Sequence, residues 1–187
     1  MKVCAYIAIA SLSILLAITT NSAKLAAQEQ IDTIIAVVQG QLVLRESFAS
    51  KSIQNQIEMR RNQYQTEISA EEKILREREK ELLHQQSVLS PEAFAKYRSD
   101  FENDVTTVQR MVAERRGELD RAYAKGIKII QRQVSEILKE ISFERNISLI
   151  VPVSQTLFFD QKLNISREVL KRLNSRLPDL TLEFEPK

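Results

Sequence analysis

Tryptophan is missing from this 187-residue chain, and four other residue types are scarce: one Cys, one His, three Gly and four Pro. A single cysteine excludes an internal disulfide framework. With Cys4 and His84 each alone, no zinc or haem ligand set can be built, and no metal or other cofactor is expected. Gly40, Gly117 and Gly126 stand singly, so no glycine-rich loop can cradle a phosphate. What remains is a chain with 28% charged residues and few breakers, a composition that favours long helix over a loop-rich enzyme core.

Carboxylates are plentiful, but Glu71, Glu72, Glu77, Glu79 and Glu81 are interleaved with Lys73, Arg76, Arg78 and Lys80. Acid–base catalysis needs a cleft that shifts pKa values, and a solvated helical face provides none. No Ser or Lys nucleophile has a recognisable base beside it, and His84 reads as a solvated side chain among glutamines. The chain is not expected to be an enzyme.

The N-terminus has the pattern of an export signal. Lys2 precedes an apolar run over 3–18, and small residues follow at Ser22, Ala23, Ala26 and Ala27. The run is shorter than the roughly 20 residues of a spanning helix. Cleavage after residue 23 or 27 is expected, so 1–27 is assigned as signal peptide and the protein to the periplasm. An uncleaved anchor on a membrane-bound adaptor is the alternative. Cys4 lies inside the apolar run, with no room for a lipid-attachment box, so the mature chain would contain no cysteine.

The whole chain carries 27 basic and 25 acidic side chains, and a cut after Ala27 removes Lys2 and Lys24, leaving 25 of each. A balanced charge gives no general attraction to nucleic acid, and none is expected as a partner. Arg60, Arg61, Arg115 and Arg116 have acidic neighbours and read as intrahelical pairs.

Residues 34–38 are apolar on both faces and mostly β-branched, which predicts a strand covered on both sides. After Gly40 a helical pattern begins and runs to Gln86. Leu42, Ile53, Tyr64 and Leu75 recur every eleven residues, and Ile57 and Ile68 repeat the step. That period, about 3.67 residues per turn, draws a narrow, nearly straight apolar seam. The stretch "HQQSVLSPEAFAKY" then breaks the helix. Ser90 is placed to cap the next helix, Pro91 suits its first position and Glu92 complements its dipole. A turn this short between long helices predicts an antiparallel hairpin with its tip near 87–91.

The return arm has a seam at Phe101, Val105, Val108, Val112, Leu119, Tyr123, Ile130, Val134, Ile137 and Ile141, provided that Arg115 and Gly126 fill two positions. Those two are expected to weaken it locally. At about 1.5 Å per residue the arms span about 60 and 80 Å, so the longer one should run back into a base. For the base the pattern predicts strands at 148–153 and 156–159, a short helix capped by Ser166 with Val169, Leu170, Leu173 and Leu177 buried, and a last strand in "LTLEFEP". So small a core favours oligomerisation.

The order and spacing of "IAVVQGQLVLRES", "SVLSPEAFAKYRSDFE", "ERNISLIVPVSQTLF" and "NISREVLKRLN" resemble the Skp, or OmpH-like, family of periplasmic chaperones. The resemblance implies an α+β fold: a small β-rich oligomerisation body, assembled as a trimeric barrel, with a long antiparallel helical-hairpin tentacle. The body would comprise 28–46 and 146–187, and the tentacle 47–145. It implies an ATP-independent holdase that keeps unfolded outer-membrane β-barrel proteins in a cavity between the tentacles of a homotrimer. Ile34, Ala36, Val38, Leu149, Ile150, Val151 and Val153 would form the subunit interface. Ile53, Ile57, Tyr64, Phe94, Tyr97 and Phe101 would face the client, with internal hairpin packing as the other role open to those six. Family members are often strongly basic, whereas this chain is near neutral, which leaves at most a weak contact with anionic lipid. The rival function is an exported coiled-coil protein that spaces or tethers envelope components.

Overall fold

A computed structural model of the chain describes residues 33–185. The expected signal peptide, its cleavage sites and Cys4 lie outside the described residues. The chain divides into units Met1–Thr33 and Ile34–Lys187, and the elements below all belong to the second.

Strand β1, Ile34–Val38, is followed by a short helix α1, Gly40–Glu46, and two long helices, α2, Phe48–Gln85, and α3, Pro91–Glu144. Strand β2, Ile147–Pro152, comes next, and helix α4, Ser166–Arg176, follows two single 3₁₀ turns. β1 and β2 are parallel, with Ile35 opposite Leu149, Ala36 opposite Ile150 and Val37 opposite Val151. Parallel strands need a crossover connection. Here the crossover contains the whole of α1, α2 and α3. The far edge of β1 carries a bridge from Val37 to Asn164, so β2 is the outer strand.

One unbroken helix was expected from near Gln41 to Gln86, and the chain instead breaks at Ser47. The Ser47 hydroxyl donates to Leu44 O at 3.0 Å and accepts from Ser50 N at 3.2 Å, closing α1 and opening α2 with one side chain. Asn174 Oδ1 accepts from Phe48 N at 2.9 Å, so α4 helps to hold the corner. At the hairpin tip Ser90 Oγ accepts from Ala93 N at 3.3 Å, with Pro91 opening α3 and Glu92 in its first turn. The arms are antiparallel: Arg78 pairs with Asp104, Arg115 with Glu67 at 3.2 Å, and Gly126 faces Ile53. After α3, Asn146 takes φ 52°, a left-handed turn that asparagine tolerates, and directs the chain into β2.

Several expectations for the base are corrected. Residues 156–159 form no strand, and residues 180–185 of the expected last strand form none either. The last segment lies against α2 and α3, where a side chain rather than a strand satisfies its backbone. Ser166 is the first residue of α4, not its cap. Its hydroxyl accepts from Gln39 N at 2.8 Å and so ties α4 to the turn between β1 and α1.

The core sits at the base, where Val43, Ile53, Ile130, Ile137, Ile141, Val169 and Leu173 are fully buried. Each such side chain contributes roughly 1.5–3 kcal/mol by leaving water. The last turns of α3 do run into this core, supplying three of the seven. Outward from Tyr64 on α2 and Glu118 on α3, no described side chain is buried. The outer arms are held by half-buried residues of the seam, among them Ile68, Leu75, Phe101 and Val105, and by the exposed Arg78–Asp104 pair. Local stability therefore falls from base to tip.

Candidate functional site

The α3 seam departs from its expected register in the lower stem. Val112 and Tyr123 are exposed and Glu118 and Ala122 are buried instead, while Gly126 is buried at its expected seam position. Ala122 and Gly126 are small, and at Gly126 this permits close approach. A Cβ on Gly126 would lie 2.7 Å from Ile53 Cδ1 and 2.8 Å from Leu182 Cδ2, so the missing side chain is what lets three segments meet. The glycine expected to weaken the seam is instead a point of close approach.

Arg115, the other expected weak position, lies in a polar node. Its guanidinium carbon is 4.5 Å from the Tyr64 ring centroid, and its nitrogens reach Glu67 at 3.2 Å and Glu118 at 3.6 Å. Tyr64 is 4% and Glu118 5% exposed. Burial, and next the hydrogen bond to Glu118, raise the Tyr64 phenol above its ordinary value of 10.0, against the lowering effect of Arg60 and Arg115. The node fixes the register of the arms at the level where the buried core ends.

The six residues expected to face a client divide into two groups. Ile53, Ile57 and Tyr64 are buried in the stem, which assigns them to hairpin packing and leaves them no surface to offer. Phe94, Tyr97 and Phe101 lie half-buried on the first turns of α3. Sequence periodicity missed a different set: Met59, Ile74, Leu83 and Val88 are apolar and exposed along α2 and the tip. Their signal was there to read, since all four fall off the eleven-residue seam.

At the base, Ala36 and Val38 pack into the chain's own core. Ile34 and Leu149 are exposed, while Ile150, Val151 and Val153 are half-buried. Beyond β2 the loop residues Leu157 and Phe158 are 109% and 89% exposed, and Phe143 stands out beside the sheet. Phe143 lines one hollow with Ile150 and Pro152.

Glu140 and Glu144 on α3 are gripped from α4. Arg176 reaches Glu140 at 3.0 and 2.8 Å, and Arg172 reaches Glu144 at 2.8 and 2.6 Å. These hydrogen bonds hold both carboxyls below the ordinary value of 4.5. Among the described residues no group of three or more His, Cys, Asp or Glu is placed to hold a metal, and no helix is long and apolar enough to cross a membrane.

A family model described as outer membrane protein (OmpH-like) matches residues 34–173. No curated protein matches the chain. A crystal structure described as an outer membrane chaperone (OmpH-like) from Caulobacter crescentus CB15 is similar to it, with a TM-score of 0.75 and 14% identity, over 83% of this chain and 92% of that one. At that identity the likeness is one of fold. The family match is of another kind: it runs from β1 through both arms of the hairpin into α4, and by it the chain belongs to the OmpH-like, or Skp, family.

Proposed function

We propose that this protein is a periplasmic, ATP-independent holdase, in which three chains join through their bases and cage an unfolded outer-membrane β-barrel protein between their hairpins. Membership of a family that includes an outer membrane chaperone supports the client class. The observation that carries the mechanism is the contrast along the hairpin. The stem is packed, whereas residues 65–117 contain no buried side chain and present apolar groups singly, at Ile74, Leu83, Val88 and Val112.

An unfolded client must be kept from other chains without being trapped. Dispersed apolar contacts, each weak, hold it reversibly, and a cage limits its encounters. Phe94, Tyr97 and Phe101 join the exposed set as client contacts if the arms open along their half-buried seam. The signal peptide at 1–27, a body of 28–46 and 146–187, and the tentacle of 47–145 complete the proposal. Near-neutral charge leaves contact with anionic lipid weak and no role for nucleic acid.

The test is light scattering of a urea-unfolded outer-membrane β-barrel protein diluted into buffer with the chain. It is run beside a variant in which residues 70–112 are replaced by a short turn, cutting the arms just above the Glu67–Arg115 pair. The full chain should suppress aggregation and the shortened one should not, with assembly retained in both. Equal protection by the shortened chain would remove the arms from the mechanism. No protection by either would favour a structural spacer of the cell envelope.

A further inference from the structure

Beyond α4 the chain crosses the stem as a strap. Leu180, Leu182 and Phe184 turn inward while Thr181, Glu183 and Glu185 face solvent, the alternation of a β-strand. Among the described residues no strand pairs with it. Instead Gln56 of α2 offers one side-chain amide to the strap backbone, Nε2 donating to Leu180 O at 2.7 Å and Oε1 accepting from Leu182 N at 2.9 Å. Leu182 is nearly buried in the notch left by Gly126, and Arg60 lies 4.6 Å from the Phe184 ring centroid. Lys125 pairs with Glu183 at 2.7 Å and with Glu185 at 3.3 Å.

This is a groove that reads main chain through an amide and every second side chain through apolar sites. The same division, backbone hydrogen bonds for affinity and alternate pockets for selection, operates where proteins bind strands. Membrane-spanning β-strands carry that alternation of apolar and polar residues along their length. The strap lies beyond residues 34–173, the span of the family match.

We propose that the Gln56–Gly126 groove is a binding site for an alternating, strand-like segment of an unfolded β-barrel client, and that the strap is the chain's own stand-in for that ligand. The inference rests on the holdase reading above and deepens it. A tethered strap competes at an effective concentration in about the millimolar range. A free segment in solution does not displace it. A client already held by the hairpins has a comparable local concentration and does, so the groove opens after capture and adds a sequence-selective contact to unselective ones.

Two experiments test this, and both use the whole chain. Ser52 Oγ and Asp179 are in hydrogen-bond contact, so Ser52→Cys with Asp179→Cys in a Cys4→Ser background allows the strap to be locked by oxidation, with closure verified by mass. The oxidised form should need severalfold more chain than the reduced form to suppress client aggregation equally. In the second, the strap is weakened by Leu182→Ser with Phe184→Ser, and the probe is a fluorescein-labelled peptide of sequence PDLTLEFE. By anisotropy it should bind at least about tenfold more tightly than a peptide of the same composition without alternation, and Gln56→Leu should abolish the difference. Equal suppression by the locked and unlocked forms, or equal binding of the two peptides, would overturn the proposal. If the unmodified chain gave no suppression at all, the holdase reading would fail instead, and the peptide comparison would still decide the groove.

Discussion

The guanidinium of Arg115 covers the ring of Tyr64 at 4.5 Å and at the same time pairs with Glu67 on the opposite arm. It is also the cation beside Glu118, whose carboxylate lies in the stem with 5% exposure. Replacing Arg115 by Met would keep most of the packing and leave that carboxylate without its cation. Breaking a fully buried pair costs roughly 3–5 kcal/mol. Arg115 is a third exposed, so a loss of about 2 kcal/mol in urea unfolding is expected. Arg115→Lys should recover part of it. A loss within about 0.5 kcal/mol for Arg115→Met would show that the node is ornamental to stability.

Gly126 sets up two opposed effects. Alanine gains about 1 kcal/mol of helix propensity. Its Cβ, however, would meet Ile53 Cδ1 at 2.7 Å and Leu182 Cδ2 at 2.8 Å, and overpacking costs about 1–3 kcal/mol. Ile53 is fully buried and cannot yield, whereas Leu182 belongs to the strap and can. Gly126→Ala should therefore destabilise by about 1 kcal/mol alone, and combined with Leu182→Ala should lose less than the two single changes add to. Additive losses would mean that the notch and the strap are independent.

The α3–α4 contacts make a pH prediction. Glu140 is held below the ordinary carboxylate value of 4.5 chiefly by its hydrogen bond to Arg176, and Glu144 by its bond to Arg172. A carboxyl lowered in the folded state contributes stability that is complete above the unfolded value and lost as pH falls through the folded one. The packing of α4 should thus be insensitive to pH between about 7 and 5 and loosen below about 4.5. Hydrogen exchange of α4 amides, corrected for intrinsic rate, should show it. Glu140→Gln with Glu144→Gln should flatten the dependence. An unchanged acid response in that variant would assign the loosening to other groups.

Leu157 and Phe158 contribute nothing to packing within the chain, being fully exposed. Changing both to Asp should leave the thermal midpoint of a dissociated chain unaltered while abolishing the proposed assembly in sedimentation. Val151→Asp should disperse it too, but with a folding cost, because Val151 is half-buried opposite Val37. An undiminished oligomer in the Leu157, Phe158 double variant would move the interface off this loop.

Local signals carried much of the architecture. Ser90, Pro91 and Glu92 specify a helix start from side-chain chemistry alone, and β-branched 34–38 specifies a strand. The break at Ser47 was not legible, because no proline or glycine follows this serine as Pro91 follows Ser90, and Asn174, far along the chain, helps to settle the matter. Gly126 misled because propensity is a local property and close approach is not. Ile53, Ile57 and Tyr64 form a periodic stripe, and a stripe marks burial before it marks a binding surface. Leu180, Leu182 and Phe184 had the pattern of a strand, but sequence could not say that their partner would be the amide of Gln56.

The central claim is a cage of three chains around one unfolded client, and the mass of the complex tests it most directly. The chain, mixed with a urea-unfolded outer-membrane β-barrel protein and sprayed intact for native mass spectrometry, should give one dominant species containing three chains and one client, and three chains without it. Single chains bound to client, or a stable trimer that never carries one, would contradict the account.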